Sequence, residues 1–287
     1  MRATVSTETE TEAVPTTDDG AMEPLTRWRG SLNRIRAVAE HDLRILRSDP
    51  AFLIIFTVMP LLFMAFNRQA MGVALTVTDG DGTFNGSEFI VPGATVLFSG
   101  FLVGNIGFGV FREHGWGTWE RLRSSSLSST ELILGKSLVP LLSVAIQLAV
   151  LLGGGALLLD MHLRGSLIAY LLVAVALGIM QVALGFMLLS VCRSVIQLNA
   201  ITNAGAMLLG GLGGAVAPVE LLPGWAQAVA PAMPTYWAMR GFRSVTMAPG
   251  GLADVALPIA VLLAFAIVFV VIAVNRFQVE ATKVSWA

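Results

Sequence analysis

The sequence predicts an all-α integral membrane protein with six transmembrane helices, an N-terminal interfacial amphipathic helix and an outer re-entrant helical segment between spans five and six. Three observations carry that prediction. Apolar residues fill 55% of the 287 positions and charged residues only 13%, about half the charged share of an ordinary soluble domain. The apolar residues gather in charge-poor runs of ~18 residues or more, long enough to cross a bilayer. Lys and Arg concentrate in alternate connecting segments, as they do when short cytoplasmic loops retain the positive charge.

Residues 1–24 hold six acids (Glu8, Glu10, Glu12, Asp18, Asp19, Glu23) against Arg2, so they carry −5 of a total formal charge of −1. Rich in Thr and Glu and without an aromatic residue, this segment cannot bury enough apolar surface to offset the entropy of ordering it, and a disordered acidic cytoplasmic tail is expected. A cleavable signal peptide needs a basic start and an apolar h-region, and neither occurs before Pro50. The first span is thus expected to serve as its own insertion signal.

Residues 25–49 read as an amphipathic helix. Trp28, Leu32, Ile35, Ala39, Leu43 and Leu46 recur at steps of three and four and form one stripe, while the other faces carry Arg27, Arg29, Arg34, Arg36, Glu40, Arg44 and Arg47. Such a helix suits the cytoplasmic interface, with its arginines near anionic headgroups; packing against a soluble partner is the alternative.

Asp49 and Pro50 have the character of an N-cap and a first-turn proline. They open a membrane domain over residues 50–276, followed by a short cytoplasmic tail, 277–287. Span one covers Ala51 to about Phe66, span two Val91–Phe111, span three Ser137–Leu159, span four Leu167–Ser190, span five Val195–Ala217 and span six Val255–Val274. As drawn, none contains a charged residue or a histidine. Six spans place both termini on one side, and the amino-terminus-in orientation leaves 14 of the 18 Lys and Arg inside. The outer segments keep only Arg68, Arg164, Arg240 and Arg243. Residues 218–243 are too apolar for free exposure, while Pro218, Pro223, Pro231 and Pro234 forbid one helix, so short helices dipping into the outer face are expected.

Several chemistries find little support. His41, His114 and His162 are far apart in sequence and lack a second ligand at i+3 or i+4, so no metal site is expected. Cys192, the single cysteine, reads as a packing residue. Gly135-Lys136-Ser137 matches the end of a phosphate-binding loop, but Thr130 stands where its first glycine belongs and Lys136 opens an apolar helix. No cofactor is therefore expected on this chain, and ATP with Mg would sit on a separate subunit. Charge-free spans also disfavour a proton- or sodium-coupled carrier. The pairs Gly100/Gly104 and Gly210/Gly214, with Gly107, Gly109, Gly211 and Gly213 nearby, allow close helix approach, either within one subunit or across a dimer seam.

The most specific segment is the inner loop, 112–136, in which Glu113, Gly117, Thr118, Glu120, Leu122, Glu131, Gly135 and Lys136 reproduce the pattern Glu-x-x-x-Gly-Thr-x-Glu-x-Leu followed by Glu-x-x-x-Gly-Lys. In this the chain resembles the type-2 ABC transporter permeases. Ser126 departs from the pattern, standing where proline is common. Glu88-Phe89-Ile90-Val91-Pro92-Gly93 resembles the family's entrance to span two. Pro218 through Leu222-Pro223-Gly224-Trp225 to Pro234-Thr235-Tyr236 resembles its outer re-entrant segment.

The resemblance implies an exporter of two permeases, as a homodimer or a heterodimer with a relative, and two ABC ATP-binding subunits. It is expected in the inner cell membrane of a bacterium, surrounded by lipid, with no nucleic-acid partner. In the coupling loop, Trp119 and Leu122 would anchor the ATPase, and Glu113, Gly117, Thr118, Glu120, Arg121 and Arg123 would complete the contact; a solvated charged loop is the plainer alternative. The compact chain looks most like the daunorubicin-resistance variety, which moves amphipathic drugs. A lipid or glycoconjugate permease shares every motif, and a membrane sensor or immunity subunit would share the spans. Phe98, Phe101, Asn105 and Phe108 in span two and Asn199, Thr202 and Asn203 in span five are the candidate substrate path, with helix packing as the plainer reading. Tyr236 and Trp237 are the candidate outer gate.

Overall fold

The computed structural model describes residues 24–79, 84–115 and 129–276, and within those ranges the chain is helical without a strand. The first helix, α1, is Pro24–Ser48, α2 is Ala51–Asp79 and α3 is Ser87–Gly115. Helix α4 begins as Ser129–Leu148, continues through a π-helical stretch Ala149–Gly154 and ends in the turn Gly155–Leu158. Then follow α5 (Leu167–Val191), α6 (Val195–Leu212), the short α7 (Gly224–Val229), α8 (Pro234–Thr246) and α9 (Leu252–Arg276). Six of these are long and apolar enough to cross a membrane, over Leu53–Thr76, Ser87–Gly104, Leu134–Leu158, Leu167–Val191, Val195–Leu212 and Leu252–Arg276. This is a multi-pass, all-α membrane fold.

Span one differs most from its sequence reading, for α2 runs to Asp79 rather than stopping near Phe66. Asn67, Arg68 and Gln69 interrupt hydropathy but not helicity: the Asn67 amide donates to the Phe63 carbonyl at 2.9 Å, and Met71 and Leu75 beyond them are buried. At the other end Asp49 and Pro50 both precede the helix, and the Pro50 carbonyl accepts the first bond, from Ile54 N at 3.0 Å. The cap is therefore one residue later than expected.

Helix α3 is the hub. Its membrane window is 83% buried against 11% for α2, 22% for α9 and 28% for α6, so those three turn most of their surface outward while α3 packs against α2, α4, α5, α6 and α8. The most extensive pairing joins α5 to α9, and α1 lies along α4. Serines cap two helices: Ser166 Oγ accepts from Ala169 N, opening α5, and Ser194 Oγ accepts from Gln197 N, opening α6.

Polar side chains repair the backbone inside the bundle. Pro60 cannot donate to the carbonyl of Phe56, four residues earlier. Gln147 of α4 reaches across and donates its Nε2 to that carbonyl at 2.8 Å, with a longer contact to Phe98 O at 3.4 Å. A backbone carbonyl without a hydrogen bond is costly in hydrocarbon, so this amide helps make a proline tolerable within the span. Gln181 of α5 instead bonds a side chain, donating to Ser99 Oγ of α3 at 3.1 Å, fully inside the bundle.

Candidate functional site

The residues singled out from the sequence fall in three places: the end bearing residues 112–136 (the loop end), the middle of α3 and α6, and the opposite, distal end. At the loop end, Glu113 lies in the last turns of α3, whereas Gly117, Thr118, Trp119, Glu120, Arg121, Leu122 and Arg123 lie outside the described residues. The second half of the motif is described, and it faces α1. Glu131 receives a two-pronged bond from Arg34, Nε at 3.1 Å and Nη2 at 2.6 Å. That hydrogen bond, against a smaller opposing effect of burial, holds the Arg34 guanidinium above its ordinary pKa. Lys136 Nζ sits 2.8 Å from Asp42 Oδ1, with only 7% of the lysine side chain exposed. Between the two pairs, a Cβ on Gly135 would lie 2.8 Å from Val38 Cβ, so glycine is what lets the helices touch.

This adds a second face to the reading of α1. Arg34, Val38 and Asp42 recur every four residues and form the face docked on α4, roughly a quarter turn from the apolar stripe of Leu32, Ile35, Ala39, Leu43 and Leu46. Periodicity reported the stripe, while the docked face is mostly polar and therefore invisible to it. The stripe itself stays partly open, with Leu32 61% exposed.

In the middle, Phe98 and Phe101 belong to an aromatic chain with α2. Phe63 and Phe98 meet edge-on at 5.4 Å, Phe98 and Phe101 at 5.8 Å, and Phe101 and Phe56 at 6.4 Å between ring centroids. The side chains of Asn105 and Phe108 lie outside the described set. On α6 the three polar candidates part company: Thr202 is buried where Gly104 approaches, whereas Asn199 and Asn203 are exposed. Gly100 and Gly104 face Ala206 and Thr202, and Gly210 faces Leu97. Gly100, Gly104 and Gly210 thus form a seam between α3 and α6 of one subunit, whereas Gly214 lies beyond α6 against Val219 and Gly211 faces open space.

The distal end is closed by the segment after α6. It runs through 3-10 turns at Val219–Leu221 and Ala230–Ala232, with α7 and α8 as short helices. Gly93 of the Pro92-Gly93 pair makes room for this segment, since a Cβ there would stand 2.3 Å from the Ala215 carbonyl oxygen. Thr235 Oγ1 donates to the Leu209 carbonyl, pinning the start of α8 to the end of α6. Arg243 Nη1 bonds both oxygens of Glu220 at 2.9 and 3.1 Å. Burial pushes the Glu220 carboxyl up, but its own backbone N–H and Arg243 outweigh that, and the net shift is below the ordinary value. Tyr236 and Trp237 pack edge-to-face at 5.5 Å, and Trp237 Nε1 donates to the Pro231 carbonyl at 2.9 Å.

The expectation of charge-free spans does not survive. Because the helices run longer than hydropathy suggested, Arg68, Glu88, Lys136, Asp254 and Arg276 fall within the candidate spans. All but Arg68 sit toward the ends of their spans. Glu88 is the most confined, 2% exposed, with Oε1 3.9 Å from His162 Nδ1 and with Oε2 lacking a hydrogen-bond partner among the described residues. Hydropathy missed it because it lies among Ser87 and Asn85 at what reads as a loop. Among the described residues no cluster of His, Cys, Asp or Glu could hold a metal ion.

No curated protein and no solved structure matches the chain significantly. The family model of the ABC-2 type transporter does match, over residues 34–247, which runs from the docked face of α1 through α8 and takes in every motif named above. With six candidate spans in a helical bundle, the chain belongs to the ABC-2 type transporter family and is the membrane permease component of an ABC transporter.

Proposed function

We propose that this permease exports amphipathic, drug-like molecules across the inner membrane of a bacterial cell, driven by ATP hydrolysis on two separate ABC subunits. In this reading the loop end is cytoplasmic and the distal end outside. Two permeases pair around the route, and the 112–136 loop seats each permease on an ATPase through Trp119, Leu122 and the charges of Glu120, Arg121 and Arg123. Helix α1 lies in the inner interface with its open stripe toward the acyl chains. Its clamp on Glu131 and Lys136 makes it move with α4, so displacement of the loop reaches the span directly.

The observation that carries the reading is the outward face of α6. Asn199 and Asn203 are exposed there, among exposed Ile196, Met207 and Leu208. Polar amides on a span are expected to face a partner helix or a water-filled route, because lipid offers them no hydrogen bonds. A second copy across that face would enclose a route lined by amides and apolar side chains, suited to amphipathic cargo rather than sugars or ions. Tyr236 and Trp237 would close it at the distal end.

Reconstitution with the cognate ATPase tests this. Asn203→Leu should change the half-maximal drug concentration for stimulated hydrolysis while basal hydrolysis survives, and Trp237→Ala should raise leakage. If stimulation by every amphipathic compound is absent in the wild-type complex, or is unaltered by Asn203→Leu, the proposed cargo or route is wrong.

A further inference from the structure

At the distal end, behind the Glu220–Arg243 bond, lies a cleft of about 530 Å³ lined by Phe84, Val219, Tyr236, Met239, Arg240, Arg243 and Met247 among others, within the ~300–1,000 Å³ common for small-molecule sites. We propose that this cleft binds the anionic head of an amphiphile, a phosphate monoester or diester with an apolar tail. Charge favours an anion. The lining holds two arginines against one acid, and Arg164 stands just beyond, its guanidinium 4.3 Å above the Phe84 ring. Arg243 is engaged by Glu220. Arg240 is exposed and makes no ion pair among the described residues, its guanidinium resting 5.3 Å from the Trp237 ring. A guanidinium stacked on an aromatic face keeps its outer N–H donors free and pre-oriented, the geometry suited to phosphate oxygens.

The apolar walls call for a tail. Val219, Met239 and Met247 line the cleft beside Tyr236, and two methionines make an adaptable surface. Glu220 then acts as an internal competitor: its carboxylate occupies Arg243 until an anion displaces it. This assignment stands on the cleft alone and is independent of what the permease carries.

Calorimetric titration of the full-length chain in phosphatidylcholine nanodiscs, with empty discs as the blank, tests it using hexyl phosphate. Hexyl phosphate should bind about tenfold or more tightly than inorganic phosphate, because only the former uses the walls. Arg240→Gln should weaken binding by about fivefold, through loss of one charge-assisted contact. Glu220→Gln should tighten it by about threefold, because Arg243 is released. The opposite signs of the two variants separate a site from a folding defect, which would weaken both. Repeating the titration in discs containing phosphatidylglycerol separates the sources. Weaker apparent binding there identifies an anionic lipid of the facing leaflet as the resident ligand, and unchanged binding a ligand from the aqueous side; either supports the anion site. Equal affinity for inorganic phosphate, or hexyl phosphate binding unmoved by both variants, overturns the proposal.

Discussion

Removing the carboxylate of Asp42 should undock α1 from the rest of the permease. The Lys136–Asp42 pair is short, 2.8 Å, and its two side chains are only 7% and 16% exposed. Deleting one partner of a buried pair costs about 3–5 kcal/mol, because the attraction that offset the burial of the other charge is lost. At ~1.4 kcal/mol per tenfold, Asp42→Ala should therefore raise the population of undocked α1 by roughly two to three and a half decades. The pairings of α2 to α9 with one another do not involve Asp42, so the six spans remain assembled. Hydrogen exchange read by mass spectrometry on the purified permease gives the answer directly: amides of residues 24–48 should lose protection by that factor while those of α5 and α9 do not. Asp42→Leu combined with Lys136→Met should recover most of the loss, since an apolar pair of similar size removes the buried charge as well as the attraction. If Asp42→Ala leaves α1 protection within about threefold of wild type, below even one salt bridge of surface strength, the pair does not hold α1 and the clamp argument fails.

Other consequences follow from the same physics. Gly135→Ala should loosen α1, because the new Cβ would meet Val38 Cβ at 2.8 Å; adding Val38→Ala should restore exchange protection. Gln147→Leu removes the Gln147 bond to the Phe56 carbonyl and should cost about 1–3 kcal/mol, seen as a lower melting temperature in detergent, and Pro60→Ala in that background should return it by supplying a backbone N–H. Because the Glu220 carboxyl is held below its ordinary value, the latch it makes with Arg243 is present above the usual carboxylate range, around pH 4.3, and is lost as pH falls through the lowered value. Exchange protection of residues 219–246 should accordingly be flat from pH 8 to about 5 and drop only below it, whereas Glu220→Gln should be flat throughout. For topology, single cysteines in a Cys192→Ser background should label at Asn85 in intact cells and not at Ser128; the reverse pattern inverts the orientation.

Much of this protein is legible from its sequence, because membrane insertion is governed by local quantities. Each span must satisfy its backbone within itself and present apolar side chains over a fixed length, so hydropathy located all six helices, and the turn prolines located the broken segment after α6. The ABC-2 type motifs were readable for the same reason, being contiguous. Helix ends were less so: α2, α3, α4 and α9 each outran their apolar cores, since a long side chain can reach toward polar surroundings without breaking the helix, and Arg68, Glu88, Lys136, Asp254 and Arg276 came inside with them. Pairings across the chain were not legible at all. That Glu131 and Lys136 grip Arg34 and Asp42, nearly a hundred residues away, is decided by where α1 lies against α4. That Gln147 exists to satisfy the carbonyl freed by Pro60 is decided by the packing of α4 on α2. The separation of Thr202 from Asn199 and Asn203 was decided likewise, for α6 has no intrinsic inside until α3 lays Gly100 and Gly104 against one of its faces. Which residues belong in the membrane is a property of each segment, but which of them meet is a property of the assembled bundle.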